Sequence, residues 1–184
     1  VSMAKNHKIK TICDIDFVQN FIKPKSNFYA ISGTNGKSTT TALATHIIKL
    51  VDAKTTFAGN IGTPIFALDF ANFDNYIFEL SSFQLDLIEE FNFKIAAILN
   101  ITPDHLDRHG TLENYIKAKC KIFQSLKKDD HLILNGDDVI LQKIHQELVE
   151  KKVEFQITTV SIKKGEVFLK TDNQIKKINI TNTP

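Results

Sequence analysis

The stretch from Asn27 to Thr41 (NFYAISGTNGKSTTT) constrains the fold more tightly than any other part of the chain. Phe28, Tyr29, Ala30 and Ile31 form a short β-favouring run that stops at Gly33. Small polar residues then lead to Gly36-Lys37-Ser38-Thr39, and Ala42-Leu43-Ala44 reads as helix. Strand, glycine loop and helix in that order are the setting of a phosphate-binding loop. Glycines let backbone N–H groups converge on phosphate oxygens, the helix N-terminus adds partial positive charge, and Lys37 adds a full one. A hydroxyl from Ser38 or Thr39 is placed to meet Mg²⁺. The loop is shorter than the usual pattern, whose first glycine would fall where Ile31 stands. A plain turn carrying a solvated lysine is the competing reading.

From Phe28 onward strands and helices alternate. Strands are expected at 28–32, Thr55–Ala58, Asn75–Leu80, Lys94–Leu99 and His131–Leu134. Helices are expected at 37–50, Phe83–Phe91, Leu112–Leu126 and Asp138–Glu150. That rhythm predicts an α/β fold with a mostly parallel sheet flanked by helices. KIAAIL at 94–99 is nearly all apolar, which predicts burial on both faces. Past Glu154 the segments Phe155–Ile162, Gly165–Thr171 and Ile175–Ile180 read as a short antiparallel meander. At the other end lie a weak strand around Lys10–Cys13, a short helix running to Ile22, and a linker at Lys23-Pro24-Lys25-Ser26.

Ligands of open α/β sheets sit beyond the carboxyl ends of the strands. The unusual residues fall at those places: the glycine loop after the first strand, Gly59-Asn60-Ile61-Gly62 after the second, Glu79-Leu80-Ser81-Ser82 after the third, and Asn100 to His105 after the fourth. Glu79 ends an apolar run, where a carboxylate suits Mg²⁺ beside phosphates; a simple strand-end cap is the alternative. Asn60 stands between two glycines, as a ligand-approach residue or an ordinary turn asparagine. His105 and His109 have a helical metal spacing. Pro103 and Gly110 argue for a loop there, and no third ligand completes a zinc set. His105 is then a candidate beside Mg²⁺ or substrate, against a structural role.

Lys119 is the most informative single residue. At about 100° per residue, Leu112, Tyr115, Ile116, Ile122, Phe123 and Leu126 share one helix face. Lys119 points into the middle of it, whereas Lys117 and Lys121 point away. Such a lysine snorkels, pairs or has a task. Burial disfavours its charge, leaving an amine able to take up CO₂ as a carbamate. From the residues alone, snorkelling is the simpler reading.

Composition excludes several classes. Hydrophobic residues make up 42% and charged residues 24%, ordinary for a globular domain. A net charge of +2 gives no strong pull toward nucleic acid. Cys13 and Cys120 form neither a disulfide framework nor a zinc motif, which points to a reducing cytoplasm. No apolar run approaches the ~18 residues of a membrane span, and the first residues lack a signal peptide's apolar segment.

Four motifs, GTNGKST (33–39), GNIGTP (59–64), ELSSFQL (79–85) and NITPDHLDRHGTLENYIKAK (100–119), together resemble the Mur ligases, ATP-dependent amide ligases of peptidoglycan precursor synthesis. The similarity runs over most of residues 8–138, and the shortened phosphate loop is the family's normal form. ELSSFQL and the Arg108-containing DHLDRHG look like the D-glutamate-adding branch. The resemblance implies ATP, two Mg²⁺ ions, and as substrates UDP-N-acetylmuramoyl-L-alanine and D-glutamate, joined through an acyl phosphate. Carried over, Gly33, Thr34, Asn35, Gly36, Lys37, Ser38 and Thr39 cradle ATP, with Lys37 neutralising developing charge. Ser38 and Glu79 hold one Mg²⁺; His105 and a carbamylated Lys119 help hold the other. Lys37, Asn60, His105 and Lys119 form the catalytic group, and Asn60, Ser81 and Gln84 line the substrate side. No nucleic acid or membrane insertion is implied, and the family's full-length form is a monomer.

The chain departs from the family pattern at both ends. Residues 1–24 look like the end of an amino-terminal uridine-nucleotide domain with its linker, and residues 25–184 like part of the central ATP-binding domain. The adenine-contacting His-Asn-x-x-Asn segment and the carboxy-terminal domain have no counterpart here. The resemblance therefore implies an incomplete part of the enzyme. The rivals are another ligase of the Mur and folylpolyglutamate synthase superfamily, against which ELSSFQL argues, and a non-catalytic nucleotide-binding remnant.

Overall fold

The computed structural model describes residues 2–9, 11–18, 21, 26–89, 91–171 and 174–179. In chain order the elements are α1 (Ser2–Asn6), α2 (Asp14–Val18), β1 (Asn27–Ser32), α3 (Lys37–Lys49), β2 (Thr55–Gly59), β3 (Asn75–Glu79), α4 (Ser82–Leu87) and β4 (Ile95–Ile98). Then follow α5 (Leu106–His109), α6 (Leu112–Cys120), β5 (His131–Asn135), α7 (Val139–Glu150), β6 (Gln156–Lys163), β7 (Glu166–Thr171) and β8 (Gln174–Asn179). Single 3₁₀ turns lie at Ile65–Ala67 and Lys121–Phe123.

The strands form one eight-stranded sheet in the order β2-β3-β1-β4-β5-β6-β7-β8. Pairing is parallel from β2 through β6 and antiparallel from β6 to β8. This is the α/β architecture expected from the alternation, with the meander continuing the main sheet rather than standing apart.

Crossover handedness assigns the helices to faces. The β1→β2 connection crosses the sheet one way, while β3→β4→β5→β6 runs the other way. Right-handed crossovers therefore put α3 on one face and α4 to α7 on the opposite one. The core follows suit. Ala30, Tyr76, Phe78, Ala96, Ile98, Leu132, Leu134 and Ile157 share one sheet face and cluster with Leu85 of α4, Tyr115 of α6, and Leu141 and Leu148 of α7. An aromatic group anchors it: Phe28 lies 5.3 Å from Tyr76 and 5.0 Å from Phe91, ring centre to ring centre.

Several expectations need correction. The β4 strand is not buried on both faces. Ala96 and Ile98 are enclosed, but Ile95 is 36% exposed, because among the described residues only α3 covers that second face and it lies across β1 to β3. Residues 11–13 are irregular rather than strand, since Cys13 uses its carbonyl to accept from Phe17 at the start of α2; Lys10 lies outside the described residues. Of the helix expected to reach Ile22, the described part is α2 (Asp14–Val18); residues 19, 20 and 22–25, with most of the expected linker, also lie outside them.

The helix expected over Phe83–Phe91 is only α4, whose C-cap Ile88 is already extended. Extension carries Phe91 to within 6.0 Å of Phe78 and 4.9 Å of Phe93, ring to ring, so core packing overrides helix periodicity. The helix expected over Leu112–Leu126 ends as α-helix at Cys120 and tightens to 3₁₀ at Lys121–Phe123, turning Ile122 and Phe123 inward.

Candidate active site

Every loop singled out at a strand's carboxyl end reaches the same rim. In the register Ile31 is level with Glu79, Gly59 with Glu79, and Ser32 with Ile98. Cross-links bind the loops further. Ser32 Oγ donates to the Leu80 carbonyl at 2.8 Å, and Leu99 N–H donates to the Ser32 carbonyl at 2.9 Å.

The glycine loop delivers an open helix start. Gly36, the N-cap of α3, sits at φ 78°, and no side chain caps the helix. The first-turn N–H groups at Lys37, Ser38 and Thr39 therefore lack a side-chain partner of the capping kind, as an anion site requires. Lys37 is half-buried and curls back, its Nζ donating to the Thr34 carbonyl at 2.8 Å. Ser38 and Thr39 are exposed.

Glu79 is fully buried. Asn60 Nδ2 donates to its Oε1 at 3.0 Å, and the Asn60 N–H donates to the Glu79 carbonyl at 2.9 Å. The other carboxylate oxygen, Oε2, is buried with no hydrogen-bond partner. A buried unpaired carboxylate oxygen is costly unless a cation completes it. Among the described residues no three His, Cys, Asp or Glu side chains gather as a ready metal set. Mg²⁺ suits such a site nonetheless, because it binds through one or two protein groups plus phosphate oxygens and water. The open Oε2 of Glu79 offers one such group.

Lys119 does not snorkel. It is 1% exposed, and its Nζ donates to the Gly33 carbonyl at 2.7 Å and to Ser32 Oγ at 3.4 Å. The amine also lies 4.8 Å from the centre of the Tyr115 ring. Burial, reinforced by the nearby Lys37 charge, lowers its pKa to about 7. A substantial neutral fraction at neutral pH is what CO₂ capture needs.

His105 is exposed, at φ 51°, and its Nε2 lies 3.4 Å from Asp104 Oδ2. The segment beyond it is not a loop: His105 caps the short helix α5. His109, at the end of α5, is buried and pairs its Nε2 with Ser82 Oγ at 3.0 Å, while stacking on Phe83. Burial lowers its pKa. Phe83 lies between the two imidazoles, 4.9 Å from His105 and 5.6 Å from His109.

Ser81 and Gln84 engage each other. Ser81 is the N-cap of α4: its Oγ accepts from the Gln84 N–H at 3.3 Å and its own N–H donates to Gln84 Oε1 at 3.0 Å, forming a capping box. The rim thus brings together the loop at 33–39, Asn60, Glu79 and Lys119; His105, Ser81 and Gln84 line its edge. Sequence reasoning placed Asn100 in the fourth rim cluster but gave it no role, and missed the Tyr115 hydroxyl; both touch the loop. Asn100 carried a signal, as a polar residue directly after an apolar strand.

A family model described as the Mur ligase middle domain matches residues 31–183. The UDP-N-acetylmuramoylalanine–D-glutamate ligase of Rickettsia felis is 48% identical over 163 residues, covering 86% of this chain and 36% of its own length. Among solved structures, a UDP-N-acetylmuramoyl-L-alanyl-D-glutamate–2,6-diaminopimelate ligase aligns at TM-score 0.60 and 23% identity, over 90% of this chain and 41% of that one. The MurF ligase of Thermotoga maritima, in complex with ADP, aligns at TM-score 0.52 and 16% identity, over 89% of this chain and 42% of that one. The chain thus spans little more than a third of the length of the Rickettsia felis relative. These matches and the rim geometry agree: the chain belongs to the Mur ligase family.

Proposed function

We propose that this chain is the phosphate-gripping part of a cytoplasmic D-glutamate-adding Mur ligase. Its reaction couples ATP cleavage to amide formation between UDP-N-acetylmuramoyl-L-alanine and D-glutamate. Residues 33–39 hold the triphosphate, and Lys37 leaves the Thr34 carbonyl to meet developing charge. The alanyl carboxylate oxygen attacks the γ-phosphorus, breaking its bond to the β-phosphate bridge and giving an acyl phosphate and ADP. The glutamate amine then adds to the acyl carbon, a proton departs, and phosphate leaves. Such chemistry needs positioning and electrostatics more than a covalent nucleophile.

Ser38 and Glu79 would hold one Mg²⁺, and His105 with carbamylated Lys119 a second. Bound Mg²⁺ supplies Lewis-acid polarisation and charge neutralisation at phosphoryl oxygens. Asn60 keeps Glu79 oriented, and Ser81 with Gln84 lines the substrate side. Carbamylation joins the neutral Lys119 nitrogen to the carbon of CO₂ and releases one proton. It turns a cation into an anionic oxygen donor. In this reading residues 25–184 are part of a central ATP-binding domain and residues 1–24 belong to the domain before it.

The single observation that carries the reading is the Lys119 amine, buried against the phosphate loop's own Gly33 carbonyl at 2.7 Å. The test is phosphate release by the full-length protein with UDP-N-acetylmuramoyl-L-alanine and, in turn, D-glutamate, L-glutamate, L-lysine and diaminopimelate. Stimulation by D-glutamate is expected. Preference for another amino acid points to a sister ligase, and no amino-acid-dependent release points to a nucleotide-binding remnant.

A further inference from the structure

We propose that Asn100 is a positioning residue that locks the phosphate loop to the loop carrying His105, so that both halves of the site move as one. The proposal rests on the reading of residues 33–39 as a phosphate loop.

The Asn100 carboxamide makes three hydrogen bonds to that loop. Its Oδ1 accepts from the N–H groups of Thr34 at 3.0 Å and Asn35 at 2.8 Å, and its Nδ2 donates to the Asn35 carbonyl at 3.0 Å. The Thr34 side chain closes the latch from the other side. Its Oγ1 accepts from the Thr102 N–H at 3.0 Å and lies 3.2 Å from the Thr102 carbonyl and 3.1 Å from the Tyr115 hydroxyl. Tyr115 sits on α6, the helix of Lys119.

The chemistry requires an amide at this position. Thr34 and Asn35 present two N–H donors beside the helix start, and Asn100 satisfies both. The donors of the following residues then remain for an anion. Aspartate would supply the same acceptor, but it would lose the donor to Asn35 and set a negative charge where phosphate must come. Alanine would release all three side-chain bonds and leave only the Thr34 N–H on the main-chain carbonyl of residue 100, at 3.0 Å in the wild-type chain. Alanine thereby loosens the loop of His105 from that of Lys37, whereas aspartate acts through its charge.

The test uses the full chain with Asn100→Ala and Asn100→Asp. Amide hydrogen exchange without nucleotide should rise on the order of tenfold or more at Asn35 and Thr102 in Asn100→Ala, while Thr34, still held by the main-chain carbonyl of residue 100, and Leu132 and Leu134 stay protected. In Asn100→Asp the Thr34 and Asn35 amides should remain protected. Mg·ADP affinity, by calorimetry, should fall on the order of tenfold in both variants. Added salt should recover part of the loss in Asn100→Asp only, because that loss is Coulombic. Unchanged exchange at Asn35 in Asn100→Ala overturns the latch, as does unchanged Mg·ADP affinity in both variants. Should Asn100→Ala fail to fold, loss of protection at Thr34 and Asn35 in Asn100→Asp overturns it instead. A wild-type chain that does not bind Mg·ADP sinks the phosphate-loop reading, and exchange alone still decides whether the two loops are locked.

Discussion

The Nζ of Lys119 and the carbonyl of Gly33 stand 2.7 Å apart, so a buried amine on α6 is held by the phosphate loop itself. The bond crosses from a helix on one face of the sheet to the turn at the end of β1. It makes the loop's shape depend on a side chain far along the chain.

That placement sets a pH dependence. The Lys119 pKa is about 7 in the folded chain against an ordinary 10.5, so folding disfavours its charged form. Below about 7 both states carry the proton and the penalty is complete. Between about 7 and 10.5 only the unfolded chain holds it, so stability rises with pH. Urea unfolding from pH 6.5 to 10 should show wild type gaining stability relative to Lys119→Met across that window. A difference that stays flat with pH would refute a depressed lysine.

Gly59 fixes the approach of the second loop. Its φ is +112°, and an added Cβ would stand 2.3 Å from the Glu79 carbonyl oxygen. Gly59→Ala should cost at least about 2 kcal/mol in chemical denaturation, from the strained backbone and the forced shift of β3. A loss under about 0.5 kcal/mol, within the range of an ordinary surface substitution, would contradict this geometry.

Glu79→Gln separates folding from cation binding. Removing a buried, half-partnered charge should leave thermal stability equal or higher in the absence of ligand. The Mg²⁺-dependent part of the stabilisation by ADP should disappear, read as the shift in melting temperature with and without the metal. An unaltered Mg²⁺ effect would remove Glu79 from the cation site.

Asp138 ties the fourth loop to the frame. Its Oδ1 accepts from Ile140 and Leu141 N–H at the start of α7, and its Oδ2 accepts from Ile101 N–H at 2.9 Å. Asp138→Ala should destabilise by about 1–3 kcal/mol and raise hydrogen exchange at Ile101. Protection of Ile101 equal to wild type would show that the loop is held elsewhere.

Elements whose residues repeat with a strong period were legible in the sequence. The β1–loop–α3 unit and α7 fell within a residue or so of their expected bounds, because the glycine loop marks the start of α3 and apolar spacing agrees with the Asp138 N-cap at α7. Lys119 was legible as an inward lysine from helical phase alone, although its partner was not. What escaped depends on contacts distant in sequence. Asn100 and Asn35 are 65 residues apart, and no local pattern announces an amide bridging them. The early end of α4 follows from where Phe91 must pack. The open face at Ile95 follows from the direction of the crossovers, which an apolar run does not encode.

The central claim is that loops from four strands grip one phosphate chain together. A titration of the ¹⁵N-labelled chain with Mg·ADP, followed by amide NMR shifts, addresses it most directly. The account predicts saturable shifts at Gly33–Thr39, Asn60, Glu79–Ser81 and Asn100–His105 with a common dissociation constant. Shifts confined to a different surface, or no saturation at millimolar nucleotide, would contradict it.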